Sequence, residues 1–343
     1  MSVNPRNSKS KSKSKSKMTE HIPFEIQSEI MRRLPVKSLL RFRSDLSPIL
    51  PLHVYRLYYL SIVGSFHGLL CLYGSDHYTN AMNLAVLWNP SIRKAVSVVV
   101  PKTKDNYEDR TVLGFWVCPE TNDPKIVKIT HSNDPWQVEV FTLSTGAWRS
   151  PHSSIFPRSD SIFIQLDQVV LDGCVYWLAT DVTSEFSRDS YDLIISFDIT
   201  SEELKEVSLP DTLATCNREN YLTISKLMNS LVVLEHNEGE MLYNVWMMED
   251  GVSKSFTKTF TICRLDDVAI PRPFVLEFRK SGEPVIQVHR ISGRRALVVY
   301  EPNSKRINNL GVNARRFFDV TAYMETLLLL DQPDDFIYEN KNV

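Results

Sequence analysis

Between Ile22 and Phe42 the apolar positions follow a helical period. Ile22, Ile26, Ile30 and Leu34 recur every four residues and Met31 widens the stripe, which places them on one face of an amphipathic helix. Pro23 falls in the first turn, where its missing N–H would have had no partner, and Pro35 ends the helix because its ring excludes the residue before it from the α conformation. A second short helix follows at once over Val36–Phe42, with Val36, Leu39, Leu40 and Phe42 apolar and Lys37, Arg41 and Arg43 polar. Two helices this short cannot bury both faces in each other, so the pattern requires a further surface, either a helical partner or the chain's own β-domain. Between Ser44 and Ser61, Pro48 and Pro51 break the chain ahead of the cluster Leu57, Tyr58, Tyr59 and Leu60, a stretch that must serve as both third element and linker.

From Ile62 onward the texture changes to short runs rich in Val, Ile, Leu, Tyr, Phe and Trp, bounded by Gly, Asn, Asp, Ser and Pro, which predicts many short antiparallel strands. Gly68–Tyr73, Asn83–Trp88, Lys125–Thr130, Gln137–Leu143, Cys174–Ala179, Leu193–Ile199 and Pro284–Val288 are examples. The runs recur in groups. Aromatic anchors at Trp88, Phe141, Phe197, Trp246 and Tyr300 stand 53, 56, 49 and 54 residues apart, each preceded by a strand of similar apolarity and followed by a shorter one. A unit of this length with four strands fits a propeller blade. Five such units fit between Ile62 and Gly311, and two further strands, Val320–Tyr323 and Thr326–Leu330, are expected to close the ring on the strands around Ile62 to Tyr73. The fold class is thus mainly β: a short all-α segment followed by a β-propeller of five to six four-stranded blades.

The run Ile22-Pro23, Glu29-Ile30, Arg33-Leu34-Pro35, Val36, Lys37, Ser38-Leu39-Leu40 and Arg41-Phe42-Arg43 resembles the amino-terminal half of an F-box as written in the large plant F-box families. The phrases Gly64-Ser65-Phe66-His67-Gly68-Leu69-Leu70-Cys71-Leu72, Leu87-Trp88-Asn89-Pro90, Val138-Glu139-Val140-Phe141 with Gly146 and Trp148, and Gly173-Cys174-Val175-Tyr176-Trp177-Leu178-Ala179 resemble the plant F-box-associated domain. In that family the domain is a kelch-like propeller that follows the F-box and recruits targets. The resemblance implies that Pro23, Ile26, Ile30, Leu34, Pro35, Val36, Leu39, Leu40 and Phe42 contact a Skp-type adaptor or support that contact. One departure stands out. In the family, Arg-Phe-Arg continues into a third helix written Cys-Val-x-Lys-x-Trp, whereas here Ser44-Asp45-Leu46 follows and 20 residues separate Arg43 from Gly64. The F-box therefore reads as truncated after its second helix, with Leu46, Ile49, Leu50, Leu57 and Tyr58 the residues available to replace the missing face.

Composition narrows the choice of chemistry. With 43% apolar and 23% charged residues in 343, the chain is ordinary globular material, and no apolar run approaches the roughly 18 residues a membrane helix needs. Residues 1–17 have no secretory pattern and the chain has no Asn-x-Ser/Thr sequon, so a cytoplasmic or nuclear location is expected. That Ser/Lys stretch carries six cations and no acid, which leaves −8 for the rest of a chain whose net charge is −2 and speaks against a nucleic-acid partner. Cys71, Cys118, Cys174, Cys216 and Cys263 are scattered and read as reduced core residues.

No G-x-S-x-G, Walker, G-x-G-x-x-G or H-E-x-x-H motif is present, and Gly numbers 11. His21, His53, His67, His77, His131, His152, His236 and His289 show no ligand spacing and read as turn or surface residues, so neither metal nor cofactor is expected. The doublets Glu202-Glu203, Asp266-Asp267 and Asp334-Asp335 read as solvated turn charges, and Trp88, Trp116, Trp136, Trp148, Trp177 and Trp246 as packing between blades. Recognition is expected in the polar loops His77–Met82, Asp105–Arg110, Ser184–Tyr191 and Cys216–Asn220.

The domain plan is a disordered Ser/Lys tail over 1–17, a truncated F-box and linker over 18–61, a propeller over 62–331 and a flexible tail over 332–343. The function implied is that of a non-catalytic substrate-recognition subunit of a Skp–cullin–F-box ubiquitin ligase, whose target the sequence leaves unnamed. The alternative is an interaction scaffold that has lost adaptor binding through the F-box deletion.

Overall fold

The computed structural model describes residues 57–76, 82–102, 110–131, 136–151, 162–182, 190–214, 220–237, 242–249, 254–262, 274–289, 293–314, 318–333 and 336–339. These form five antiparallel sheets, each hydrogen-bonded in chain order. Blade 1 contains β1 (Leu57–Phe66), β2 (Leu69–Asp76), β3 (Asn83–Asn89) and β4 (Lys94–Val100). Blade 2 contains β5 (Arg110–Val117), β6 (Pro124–His131), β7 (Gln137–Thr142) and β8 (Ala147–Arg149). Blade 3 contains β9 (Ile162–Leu171), β10 (Cys174–Val182), β11 (Ser190–Asp198) and β12 (Leu204–Ser208), after which comes one helical turn, α1 (Asp211–Ala214). Blade 4 contains β13 (Asn220–Leu227), β14 (Ser230–Asn237), β15 (Leu242–Glu249) and β16 (Ser255–Ile262). Blade 5 contains β17 (Phe274–Phe278), β18 (Pro284–His289), β19 (Arg295–Glu301) and β20 (Arg306–Ala314). A last strand, β21 (Phe336–Tyr338), pairs in parallel with β4.

The fold is a five-bladed β-propeller. Trp88, Phe141, Phe197, Trp246 and Tyr300 each occupy the third strand of a blade, so the 50-residue period marks one recurring position in the repeat. Middle strands read as continuous apolar runs because both of their faces are covered: β3, β11 and β18 are buried almost throughout. The outermost strand of blade 5, β20, is exposed at most positions and correspondingly polar.

Four of the five seams between blades are shared apolar clusters. Leu87 and Val98 of blade 1 meet Phe115 and Phe141 of blade 2. Trp116 and Val127 of blade 2 meet Trp177 and Phe197 of blade 3. Tyr176 and Ile194 of blade 3 meet Val233 and Phe256 of blade 4, and Val245 of blade 4 meets Ile286 and Tyr300 of blade 5. Indole N–H groups stitch two of these seams: Trp148 donates to the Val99 carbonyl at 3.0 Å and Trp177 to the Leu113 carbonyl at 3.3 Å. The reading of the tryptophans as packing between blades fits this arrangement. In the first seam Lys128, on the same side of β6 as Ile126, is 1% exposed and ion-paired with Glu139 of β7 at 2.5 Å.

The fifth seam is closed differently from the expectation. Residues 318–327 form no strand, and 328–332 turn. Backbone groups that would have entered a ladder are instead held by blade 1 side chains. The fully buried Asn89 donates to the carbonyls of Thr326 at 3.0 Å and Leu328 at 2.8 Å, and Ser65 Oγ donates to the Ala322 carbonyl at 2.8 Å. Tyr323 lies against Ser91, whose backbone N–H donates to its hydroxyl at 3.1 Å. Gly68 permits the crossing: its φ is +77°, and a Cβ there would lie 2.2 Å from the Met324 carbonyl oxygen. The ring is thus locked by a strap that contacts the β1–β2 turn through side chains and reaches the outer edge of blade 1 as β21. The tail over 332–343 accordingly contains a strand where flexible chain was expected.

Candidate functional site

All connections between second and third strands, and between the fourth strand of one blade and the first of the next, emerge on one face of the propeller. They include 77–82, 101–109, 183–189 and 209–219, the regions in which recognition loops were expected. Most of their residues lie outside the described ones; Met82, Arg110, Ser190, Tyr191 and Asn220 are at strand edges. The opposite face carries the tight turns, and there the described residues enclose a cavity of about 980 Å³.

Four blades build its wall. Phe66 ends β1; Val117 to Glu120 and Lys125 flank the β5–β6 turn; Arg149 and Ser150 end β8; Val170 to Gly173 make the β9–β10 turn; Ile199 to Glu202 make the β11–β12 turn; Lys226 and Asn229 come from the β13–β14 hairpin. The turns are rigid for local reasons. Asp172 and Gly173 both have positive φ, 48° and 74°, the geometry of a two-residue hairpin whose twist matches its strands. The carboxylate of Asp198 accepts the backbone N–H groups of Thr200 and Ser201, each at 2.8 Å, which also holds its pKa below the usual range. Ile199 N–H donates to the Gly173 carbonyl at 2.8 Å, so two turns of blade 3 form one unit.

Charge inside the cavity is mixed. Arg149 of blade 2 and Glu202 of blade 3 pair through both guanidinium nitrogens, one contact being 2.6 Å, across the mouth of their seam. Glu202 is therefore a structural partner and not the solvated turn charge its sequence position suggested. Lys125 and Lys226 have no ion-pair partner within 4 Å among the described residues. Hydrogen bonds from Thr121, opposed by burial and joined by the Glu120 backbone and more weakly by the charge of Lys125, draw the Cys118 thiol downward. Phe66, Val117, Val170, Leu171 and Ile199 supply an apolar lining between these charges. The surface is thus concave and half-apolar, with a few fixed charges.

Two first strands also carry polar side chains that the fold engages. Gln168 of β9 accepts from the Phe115 N–H at 2.8 Å and donates to its carbonyl at 3.0 Å, bridging blades 3 and 2. Glu277 of β17 is pushed up to about 7 by burial, opposed by a backbone hydrogen bond from Phe278 and the charge of Lys226. Sequence reasoning missed Gln168 and Glu277, polar residues of first strands that look like loop residues in a linear pattern, and Arg149, whose partner Glu202 lies on the next blade, 53 residues away.

Other expected residues fall as follows. Pro23, Ile26, Ile30, Leu34, Pro35, Val36, Leu39, Leu40 and Phe42, with Asp266-Asp267, Asp334-Asp335, Cys216 and Cys263, lie outside the described residues. Cys71 is buried in the core, but Cys118 and Cys174 are only partly covered, at turns beside the cavity. His236 is 1% exposed and packed at a tilt between the rings of Tyr221 and Tyr243, centroids 4.4 and 4.5 Å away, so it is a core residue and not a surface one. Among the described residues no group of three or more His, Cys, Asp or Glu could hold a metal ion, and no helix is long and apolar enough to cross a membrane.

Residues 21–325 match the F-box associated beta propeller domain, and the chain belongs to that family. The matched span begins inside the segment 18–61 read as an F-box. The chain is similar to an F-box/kelch-repeat protein of Arabidopsis thaliana, 27% identical over 220 residues that cover 62% of this chain and 56% of the relative. A second Arabidopsis F-box protein is 25% identical over 315 residues, covering 80% of this chain and 71% of the relative. The chain thus spans little more than half the length of the first of these relatives. Among solved structures, a luciferin-regenerating enzyme superposes with a TM-score of 0.40 at 12% identity, covering 71% of this chain and 72% of the other, a likeness too distant to bear on activity.

Proposed function

We propose that this protein is the target-recognition subunit of a Skp–cullin–F-box ubiquitin ligase, working in the cytoplasm or nucleus without catalysis of its own. The observation that carries the reading is the family membership over 21–325 joined to a rigid ring whose tight-turn face opens into a cavity walled by four blades. Pro23, Ile26, Ile30, Leu34, Pro35, Val36, Leu39, Leu40 and Phe42 would dock on the adaptor, and the cavity would hold a segment of the target. The mechanism is proximity: a tethered target meets the loaded conjugating enzyme at an effective concentration that free encounter does not reach.

A second reading, a scaffold outside any ligase, is favoured by one feature, the 20 residues between Arg43 and Gly64 that leave little chain for a third F-box helix. Co-purification of the tagged full-length chain from cells with and without proteasome inhibition separates the two. The ligase reading expects the adaptor in both samples and a target enriched by inhibition. The paired change Lys125→Glu and Lys226→Glu should lose the target and keep the adaptor. Recovery of the target by that variant would move target binding to the long-connection face, and absence of the adaptor from every sample would leave the scaffold.

A further inference from the structure

The charges of the cavity differ in how far water screens them. Lys125 enters from blade 2, where it stands opposite Trp116 and Thr142, and Lys226 enters from blade 4, close to the β13–β14 hairpin. Blade 3 shares a seam with each of these blades, so its β9–β10 and β11–β12 turns form the wall between the two lysines. Both lysines are half-buried, and neither has an ion-pair partner within 4 Å among the described residues.

The acids of the lining do not cancel them. Glu202 is held by Arg149, while Glu120 and Asp172 are exposed at the rim. A charge in water acts roughly four times more weakly than one in a half-buried site, so an anion inside the cavity feels the lysines above the rim carboxylates. Glu277, which the charge of Lys226 reaches, is pushed up to about 7 by burial, so near neutral pH it offsets that lysine only in part.

Apolar surface accompanies the cations. Phe66, Val170, Leu171 and Ile199 line the cavity, and His67 stacks on the Phe66 ring at 4.6 Å with the planes 6° apart. Outside the mouth Met228, next to the lining residue Asn229, is 64% exposed. Its φ is +54°, a left-handed conformation that a bulky side chain adopts at a cost and that glycine or asparagine usually fills. A volume of about 980 Å³ lies at the top of the range of about 300–1,000 Å³ that takes one small ligand, so the cavity admits a few side chains and not a folded domain. An apolar rim beyond a cationic cavity fits a ligand that runs on past the mouth, as a peptide does and a small anion does not.

We propose, on the reading of the cavity as the seat of the target, that it takes a short linear segment in which an anionic residue is flanked by large apolar ones. Lys125 or Lys226 pairs with the anion, and its apolar neighbours cover Phe66 and Ile199 inside and Met228 at the rim. An aspartate, a glutamate or a phosphorylated side chain would each supply the charge.

Fluorescence anisotropy of the full-length chain with labelled peptides of sequence Gly-Ser-Leu-Phe-X-Leu-Leu-Ser-Gly tests this, X being Asp, phosphoserine, Asn or Lys. The Asp peptide, the phosphoserine peptide or both should bind at least tenfold tighter than the Asn and Lys peptides. Preference for phosphoserine alone would assign the anion to a modification, and preference for both to any carboxylate or phosphate. Lys125→Gln with Lys226→Gln should erase the preference while the melting temperature holds, and Met228→Gly should weaken the preferred peptide severalfold. Equal binding of all four peptides, a preference for Lys, a preference that survives the paired change, or no binding at all would overturn the proposal, and unaltered affinity in Met228→Gly would overturn the rim contact. No adaptor enters this assay, so a chain that fails to bind the adaptor defeats the ligase reading alone, whereas flat selectivity here defeats the anionic segment alone.

Discussion

Removing the carboxylate of Glu139 leaves a buried ammonium without its counter-charge. Lys128 Nζ lies 2.5 Å from Glu139 Oε2, with the lysine side chain 1% exposed and the glutamate 25% exposed. In Glu139→Ala the ammonium keeps its burial and loses its counter-charge, while water reaches it only through the gap left by the glutamate. Breaking a wholly buried pair costs about 3–5 kcal/mol, and the partial exposure of Glu139 places this case near the lower end, about 3 kcal/mol. At roughly 2–4 °C per kcal/mol for a large domain, the melting temperature should fall by about 6–12 °C. Chemical denaturation of wild type, Glu139→Ala, Lys128→Met and the double variant Lys128→Met with Glu139→Leu measures the cost as a cycle. The double variant should recover most of the loss, because two apolar side chains suit a seam lined by Ile126 and Phe141. A loss below about 1 kcal/mol in Glu139→Ala, or a double variant no better than the single, would refute the reasoning.

Three further outcomes follow from the strap and the axis. Asn89→Ala should cost about 2–3 kcal/mol, since it abandons the carbonyls of Thr326 and Leu328, and limited proteolysis should cut within 318–333 before the blades; protection of that segment would contradict the latch. Gln168→Leu should cost on the order of 2 kcal/mol by stranding the Phe115 amide and carbonyl, measured by urea denaturation, with an unchanged midpoint as the contrary result. Glu277 has a folded pKa raised to about 7 from a usual 4.5, so the folded state holds its proton more tightly than the unfolded state. Stability from this group is greatest below the unfolded pKa, falls as pH rises from about 4.5 to 7 by on the order of 2 kcal/mol, and is flat above; Glu277→Gln should remove that slope, and a persistent slope would assign it elsewhere.

The parts of this fold that show in the sequence are those where both faces of a strand are buried. β3, β7, β10, β11 and β19 announce themselves as apolar runs, and their aromatic anchors give the period because a middle strand meets neighbours on both sides. The first strands are harder to read. β9 runs Ile-Phe-Ile-Gln-Leu-Asp-Gln-Val-Val-Leu, with a bulge opposite Trp177 and Ala179 that turns Leu166 and Asp167 out of the ladder, and β17 has a similar irregularity between Val275 and Glu277. A first strand faces the axis, so its polar residues look like loop residues in a linear pattern. The strap misled for a related reason: Leu327 to Leu330 has strand composition, yet Asn89, 237 residues from Thr326, captures its carbonyls, and a contact so distant in sequence leaves no local trace. The cavity was invisible for the same cause, being assembled from turns of four blades whose charges, such as Arg149 and Glu202, meet only across a seam.

The proposed function has this propeller carried to a ligase by the segment Ile22–Arg43. Co-expression of the full-length chain with a Skp-type adaptor, followed by size-exclusion chromatography, tests it most directly. The account predicts a stable one-to-one complex that Leu34→Asp and Leu39→Asp abolish while the circular dichroism of the propeller stays unchanged; a wild-type chain that elutes apart from the adaptor, or variants that still bind it, would contradict the account.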